Sequence, residues 1–241
     1  MSGDSHLPKA LQGLRIPAVA SPLFIISVPA LVIAQCKAGI IGSFPALNAR
    51  EGEGEHPLLD TWLTHIREEL DRHNQENPDR PAAPFAVNQI VHRSNGRLER
   101  DLEICVKHEV PIWITSLGAR KEVNEAAHSC GGIVLHDIIN NTFAKKAIEK
   151  GADGLVAVAA GAGGHAGQQS HFALVREIRE WFDGPIALYG ANATGEALLA
   201  ASAMGAQLAH KRSPFTPNQD ATTEDASKDT VHVTGAADTG R

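Results

Sequence analysis

The chain has 241 residues, 43% of them hydrophobic and 21% charged, the composition of an ordinary globular protein with apolar material enough for one sizeable core. A formal net charge of −6 leaves no bulk positive field for nucleic acid or an anionic membrane, so an anionic ligand needs a local site. Cys36, Cys105 and Cys130 are widely spaced and form neither a metal-type CxxC pair nor a disulfide framework, so a reducing, cytoplasmic setting is expected.

Residues 16–34, IPAVASPLFIISVPALVIA, are long and apolar enough to raise a membrane span or a signal peptide. Pro22 and Pro29 each remove a helical donor, which divides the run into an extended piece and a helix start. No membrane contact is therefore expected. Short aliphatic runs at 17–21, 40–44, 84–88, 111–115, 132–136, 154–158, 185–189 and 206–210 alternate with helical patterns, as parallel strands joined by crossover helices do. Trp62, Leu63, Ile66 and Leu70 mark the apolar stripe of one helix, and Leu98, Leu102, Cys105 and Val106 that of the next. Asn141 is expected to cap a helix over Thr142 to Lys150 with Gly151 as its left-handed stop, and Thr194 to cap a last helix ending before Gly205.

Two charged, turn-rich stretches, 44–57 and 73–83, read as long connections. Beyond Thr216 the chain carries five acids against two bases with few large apolar residues, so 1–215 is expected to form the domain and 216–241 a disordered tail. Eight strand and helix alternations point to a (β/α)8 TIM barrel, with chemistry at the C-terminal strand ends. A doubly wound sheet would place a Gly-rich phosphate turn after its first strand; here that position reads ASPLF.

On that fold, GAGGHAG at 161–167 lies at the end of the sixth strand. Its glycines let the backbone approach a ligand, and His165 offers a group titrating near neutral pH; a flexible loop with an incidental histidine is the plain alternative. After the seventh strand, Gly190 and Ala191 precede the helix start at Thr194, where backbone N–H groups suit a phosphate or simply make a turn. His136 ends a strand and either faces the site or is a buried, satisfied imidazole. His56, His65, His73 and His171 read as surface residues, and Cys36 and Cys130 as packed small hydrophobes. No spacing suits a metal, and no Lys or carboxylate stands out at a strand end for aldolase or isomerase chemistry.

The ordered set ASPLF, GSFPALNAR, PFAVNQ, ITSLGAR, GGIVLHD, GAGGHAG and GANATG, one at or after each of the first seven strands, resembles the nitronate monooxygenases, formerly called 2-nitropropane dioxygenases. The resemblance runs from about Leu14 to Met204. It implies an FMN-dependent TIM barrel that oxidises alkyl nitronates or nitroalkanes with O2 to a carbonyl compound and nitrite. It carries the cofactor site onto Ser21, Pro22, Leu23, Asn88, Gln89, His136 and Gly163, with Gly190, Ala191 and Ser213 at the phosphate, and the active-site histidine onto His165. A flavin barrel using NAD(P)H, an enoyl or quinone reductase, is the alternative within enzymes, and a barrel fragment of little activity the alternative outside them. A homodimer is left open.

Two positions depart from the family pattern. Tyr189, Gly190 and Ala191 replace Ser-Gly-Gly, a change expected to leave the Ala191 N–H as a donor. Arg212, Ser213, Pro214 and Phe215 stand where a Gly-Ser/Thr-x-Phe turn is usual, so Arg212 either pairs with the phosphate or fills its space. No family motif is legible beyond Phe215, which implies an incomplete last βα unit without C-terminal cover.

Overall fold

The computed structural model describes residues 7–50, 57–163, 167–191 and 193–212. Eight parallel strands alternate with seven helices: β1 (Ala18–Ala20), α1 (Pro29–Lys37), β2 (Gly42–Pro45), α2 (Leu58–Glu76), β3 (Phe85–Ile90), α3 (Leu98–Lys107), β4 (Ile112–Ser116) and α4 (Lys121–Ser129) form the first half. β5 (Ile133–Ile138), α5 (Asn141–Glu149), β6 (Gly154–Val158), α6 (His171–Arg179), β7 (Ile186–Tyr189), α7 (Gly195–Ala203) and β8 (Leu208–Lys211) complete it. From β2 to β8 each strand pairs with its sequence neighbour, and β8 returns to β1. Between β1 and β2 a single bridge, Val19 to Ile41, joins the remaining edge: the Ala20 N–H donates to the Ile41 carbonyl at 2.8 Å, and Ile41 donates to Ala18 at 3.0 Å. The architecture is a (β/α)8 barrel, as the sequence pattern implies.

Strand alternation sends side chains to two separate apolar layers. Val19, Ile41, Ala86, Ile112, Ile114, Leu135, Val156, Ala187 and Leu208 fill the barrel. Leu11, from the short 3-10 turn Lys9–Leu11, joins that cluster, with Leu7, Ala10 and Leu14 packed against it. The outer layer takes Phe44, Val87, Trp113, Leu155 and Leu188 against helix stripes such as Leu59, Leu63, Ile66 and Leu70 of α2. Each of those α2 residues is nearly inaccessible, and burial of such a side chain contributes about 1.5–3 kcal/mol, which fixes the helix on the sheet far more firmly than its propensity does.

The apolar run at 16–34 divides as its prolines dictate: β1, a loop, then α1 with Pro29 in its first turn. No helix among the described residues is long and apolar enough to cross a membrane. Three details differ from the sequence reading. The cap of α5 is Asn140, whose side chain accepts from the Phe143 N–H at 3.0 Å, one residue earlier than expected. Gly151 does stop that helix, at φ +96. Helix α2 runs on to Glu76, so the stretch expected as a loop from His73 begins helical. His171 is half-buried, and its Nε2 donates to the Gly190 carbonyl at 2.7 Å. Cys36 is fully buried, which pushes its thiol up to about 12, and Cys105 is raised for the same reason, so neither is a ready nucleophile. The tail at 216–241 and any helix after β8 lie outside the described residues.

Candidate active site

The C-terminal ends of the strands carry the polar and strained features. Of the non-glycine residues at positive φ, Ile25 (φ 67), Leu117 (φ 62) and Ala191 (φ 47) all lie in loops that leave the C-terminal end of a strand. Such conformations cost roughly 1–3 kcal/mol each and persist only where the surroundings enforce them. At Ile25 the enforcing group is Asn48, of the ALNAR segment after β2. Its Oδ1 accepts from the Ile25 N–H at 2.9 Å, and its Nδ2 donates to the Leu23 and Ser27 carbonyls at 2.9 and 2.8 Å. The β1 loop is thereby clamped with Leu23 inward and Phe24 and Ile25 exposed. Exposed Leu117 and Ile139 extend this apolar rim after β4 and β5.

Inside the rim, polar residues of adjacent strands meet on the inner face. Asn88 of β3, Ser116 of β4 and Asp137 of β5 form a directional chain: Asn88 Nδ2 donates to Ser116 Oγ at 2.9 Å, and Ser116 Oγ donates to Asp137 Oδ2 at 2.6 Å. Burial holds the Asp137 carboxyl up at about 6, although the Ser116 bond pulls it down. On the opposite arc, Ser21 Oγ meets His210 Nδ1 at 2.9 Å, and the Tyr189 ring lies 4.8 Å from the His210 imidazole. His210 Nε2 is buried without a partner, and burial pushes this imidazole down to about 3, so it stays neutral.

The expected site residues divide accordingly. Ser21, Leu23 and Asn88 are buried at the barrel mouth and Pro22 is half-buried beside them. Gln89 and His136 face the other way, into the layer under the helices. Gln89 Nε2 donates to Cys105 Sγ at 3.3 Å, and His136 Nδ1 shares a 2.6 Å hydrogen bond with Thr115 Oγ1. His136 is buried on the same side of β5 as Val134 and Ile138, and burial lowers it to about 4. Gly163 accepts from the Tyr189 hydroxyl at 3.0 Å, and the space a Cβ would need there is occupied by the Arg212 guanidinium at 2.6 Å. Ala191 gives its N–H to the Gly161 carbonyl at 3.3 Å, so that donor already has a protein partner. His165 and Ser213 lie outside the described residues.

Asp137, Ser116 and His210 escaped the sequence reading, which named Tyr189 only as a departure from the family pattern and gave its side chain no role. Asp137 also corrects the expectation that no carboxylate stands at a strand end: GGIVLHD ends in one, but a strand buried on both faces shows no polar alternation to say which of His136 and Asp137 points inward. At the β8 end, Lys211 Nζ donates to the Ala193 and Thr194 carbonyls at 3.4 and 3.3 Å, beside the start of α7. Arg212 follows it. Lys211 next to a helix N-terminus, Arg212 against Gly163 in the β6 loop, and buried apolar Leu23 and Val158 at strand ends fit an anionic, flat, largely apolar cofactor such as a flavin.

The sequence model described as nitronate monooxygenase matches residues 55–240. The chain belongs to the nitronate monooxygenase family. That membership makes it a flavin-dependent oxidoreductase of this barrel type. The match runs past Phe215, where legible motifs stop, so the chain beyond β8 carries family pattern after all. No curated protein matches in sequence. Among solved structures, FabK from Thermotoga maritima superposes with a TM-score of 0.78 at 20% identity, over 94% of this chain and 67% of that one. Nitroalkane oxidase from Streptomyces ansochromogenes gives 0.73 at 21% identity, over 92% and 72%. The enoyl reductase domain of MlnA from the macrolactin biosynthesis cluster of Bacillus amyloliquefaciens gives 0.65 at 16%, over 90% and 57%. At these identities the likeness is one of fold.

Proposed function

We propose that this family member catalyses FMN-dependent oxidative denitrification of alkyl nitronates and nitroalkanes with O2, releasing a carbonyl compound and nitrite. The family match over residues 55–240 carries this reading. When bound, the flavin supplies the electron transfer between substrate and O2. Ser21, Pro22, Leu23 and Asn88 hold its ring system at the ends of β1 and β3. Lys211, Arg212, Ser213 and the N-terminus of α7 hold its phosphate. Gln89 and His136 support the site from beneath the helices, through Cys105 and Thr115. The rim of Phe24, Ile25 and Leu117 keeps bulk water from the mouth. His165 hydrogen-bonds the nitro group of a nitronate and takes the α-proton of a neutral nitroalkane.

The purified chain, reconstituted with FMN and then freed of unbound cofactor by gel filtration, is expected to retain absorbance near 450 nm, an approximate property of the cofactor, and to release nitrite from an alkyl nitronate. Absence of both defeats the reading. In a His165→Ala variant, kcat/KM for the neutral nitroalkane is expected to fall by about 100-fold, the ordinary scale of general-base catalysis, and that for preformed nitronate far less. Equal losses on the two substrates would assign the imidazole to orientation instead. The likeness to FabK and to the MlnA enoyl reductase domain favours one second reading, a reductase using NAD(P)H. Rapid anaerobic bleaching of the flavin by NADH, with none by a nitronate, would select it.

A further inference from the structure

The strands present three ionisable side chains on the inner face of the barrel, among the described residues: Asp137, Tyr189 and His210. Tyr189 and His210 lie against each other on the far arc. Asp137 stands apart from them at the end of β5. From β4 it meets the Ser116 hydroxyl, and its register partner on β6 is apolar Val156. Lys211 is engaged with carbonyls of the β7 loop, and Arg212 lies against Gly163. Arg120, in the β4 loop, pairs with Glu122. Asp137 therefore has no cationic partner among the described residues, and one of its two oxygens has no hydrogen-bond partner there either. The chain from Asn88 through Ser116 ends on it and gives it a single donor.

A carboxylate so placed conflicts with an anionic substrate. Two like charges within a few ångströms in a site drier than water repel strongly, and the cheapest relief is for the weaker acid to take up a proton. We propose that Asp137 selects the charge state of the substrate: it must be protonated before a nitronate binds beside it, and as a carboxylic acid it donates to a nitronate oxygen. The proton comes from solvent and stays on the carboxyl oxygen while the anion is bound. Ionised, the same group excludes the nitronate and leaves the mouth to neutral nitroalkanes. Burial, which already holds this carboxyl at about 6, makes the proton available at modest cost near neutrality. The proposal rests on the nitronate reading above and names the residue that sets its specificity.

The test uses nitrate, an unreactive planar oxyanion, titrated calorimetrically into the full chain with FMN added, in two buffers of different ionisation enthalpy. At pH 7 the native protein is expected to take up close to one proton per nitrate bound, and Asp137→Asn none. At pH 7.5 Asp137→Asn is expected to bind nitrate about tenfold more tightly. Ser116→Ala removes the bond that pulls the carboxyl down, so it should move the midpoint of the pH dependence of nitrate affinity upward. Proton uptake that survives in Asp137→Asn, equal nitrate affinity in the two proteins, no proton uptake by the native chain or no nitrate binding by it overturns the proposal. Nitrite release from a nitronate is scored separately: its absence defeats the functional reading, whereas its presence with a failed nitrate titration defeats this inference alone.

Discussion

The glycine loop after β6 shows how much a single position depends on what lies opposite it. Neither Gly163 nor Gly167 is among the glycines at positive φ, so each is judged by the space its missing Cβ leaves. At Gly163 that space holds the tip of Arg212, a flexible side chain that can swing aside. At Gly167 a Cβ would strike the Val158 carbonyl oxygen and approach that of Ile139 to 3.2 Å, and backbone cannot swing aside. Gly163→Ala is therefore expected to stay within about 1 kcal/mol of neutral in urea denaturation, with any gain coming from the stiffer unfolded chain. Gly167→Ala is expected to lose on the order of 1–3 kcal/mol, the scale of overpacking. Equal stability of the two variants would mean that the β6 loop relaxes freely. Of this pair, Gly167 leaves room for the protein's own backbone, and Gly163 leaves room for a cation.

At the scale of elements, the strands were legible because their chemistry is redundant. The run at 154–158 reads as a strand and is one, and the other seven differ from expectation by one or two residues at an end. Helix boundaries carried less information. Asn140 and Asn141 are chemically identical capping candidates, and the sequence offers nothing to choose between them; the choice falls to Asn140, whose extended backbone (φ −160, ψ 170) turns its side chain onto the Phe143 N–H. An Asn140→Ala change is expected to cost about 1 kcal/mol through the lost cap. Asn141→Ala is expected to cost a similar amount for another reason, since Asn141 Oδ1 accepts from the Trp181 indole N–H at 2.7 Å. Asn140→Asp, which keeps the capping oxygen, should restore stability at position 140; no recovery there would move the cap. The candidate site was legible as a place and not as a set of side chains. Motif order located the mouth at the strand ends, yet Gln89 and His136 turned under the helices and Asp137 and His210 into the barrel, because alternation is invisible in strands buried on both faces.

For the whole molecule, placing ionisable groups on both sides of a closed sheet ties folding to pH. His136 in the outer layer and His210 in the barrel are held neutral down to about 4 and about 3, while an unfolded histidine protonates near 6.5. Between those values the unfolded chain binds more protons than the native one, so stability falls as pH falls, by about 1.4 kcal/mol per unit for each imidazole. Asp137 acts in the opposite sense. Its folded value of about 6 lies above the unfolded carboxyl, so the native state gains a proton first and this group alone favours folding as pH drops through 6. From pH 6 to about 4 two imidazoles oppose one carboxyl, leaving a net loss of about 1.4 kcal/mol per unit. The surface carboxylate Asp60, held low by its hydrogen bond to Lys107 and by His108, adds to the loss only at the acid end. The urea midpoint of the native chain is therefore expected to decline steadily from pH 6.5 to 4.5. In Asp137→Asn the counterweight is gone, so the decline below pH 6 should be close to twice as steep. A midpoint independent of pH over that range would mean that at least one of the two imidazoles is solvated, and an unchanged slope in Asp137→Asn that the carboxyl is ionised throughout.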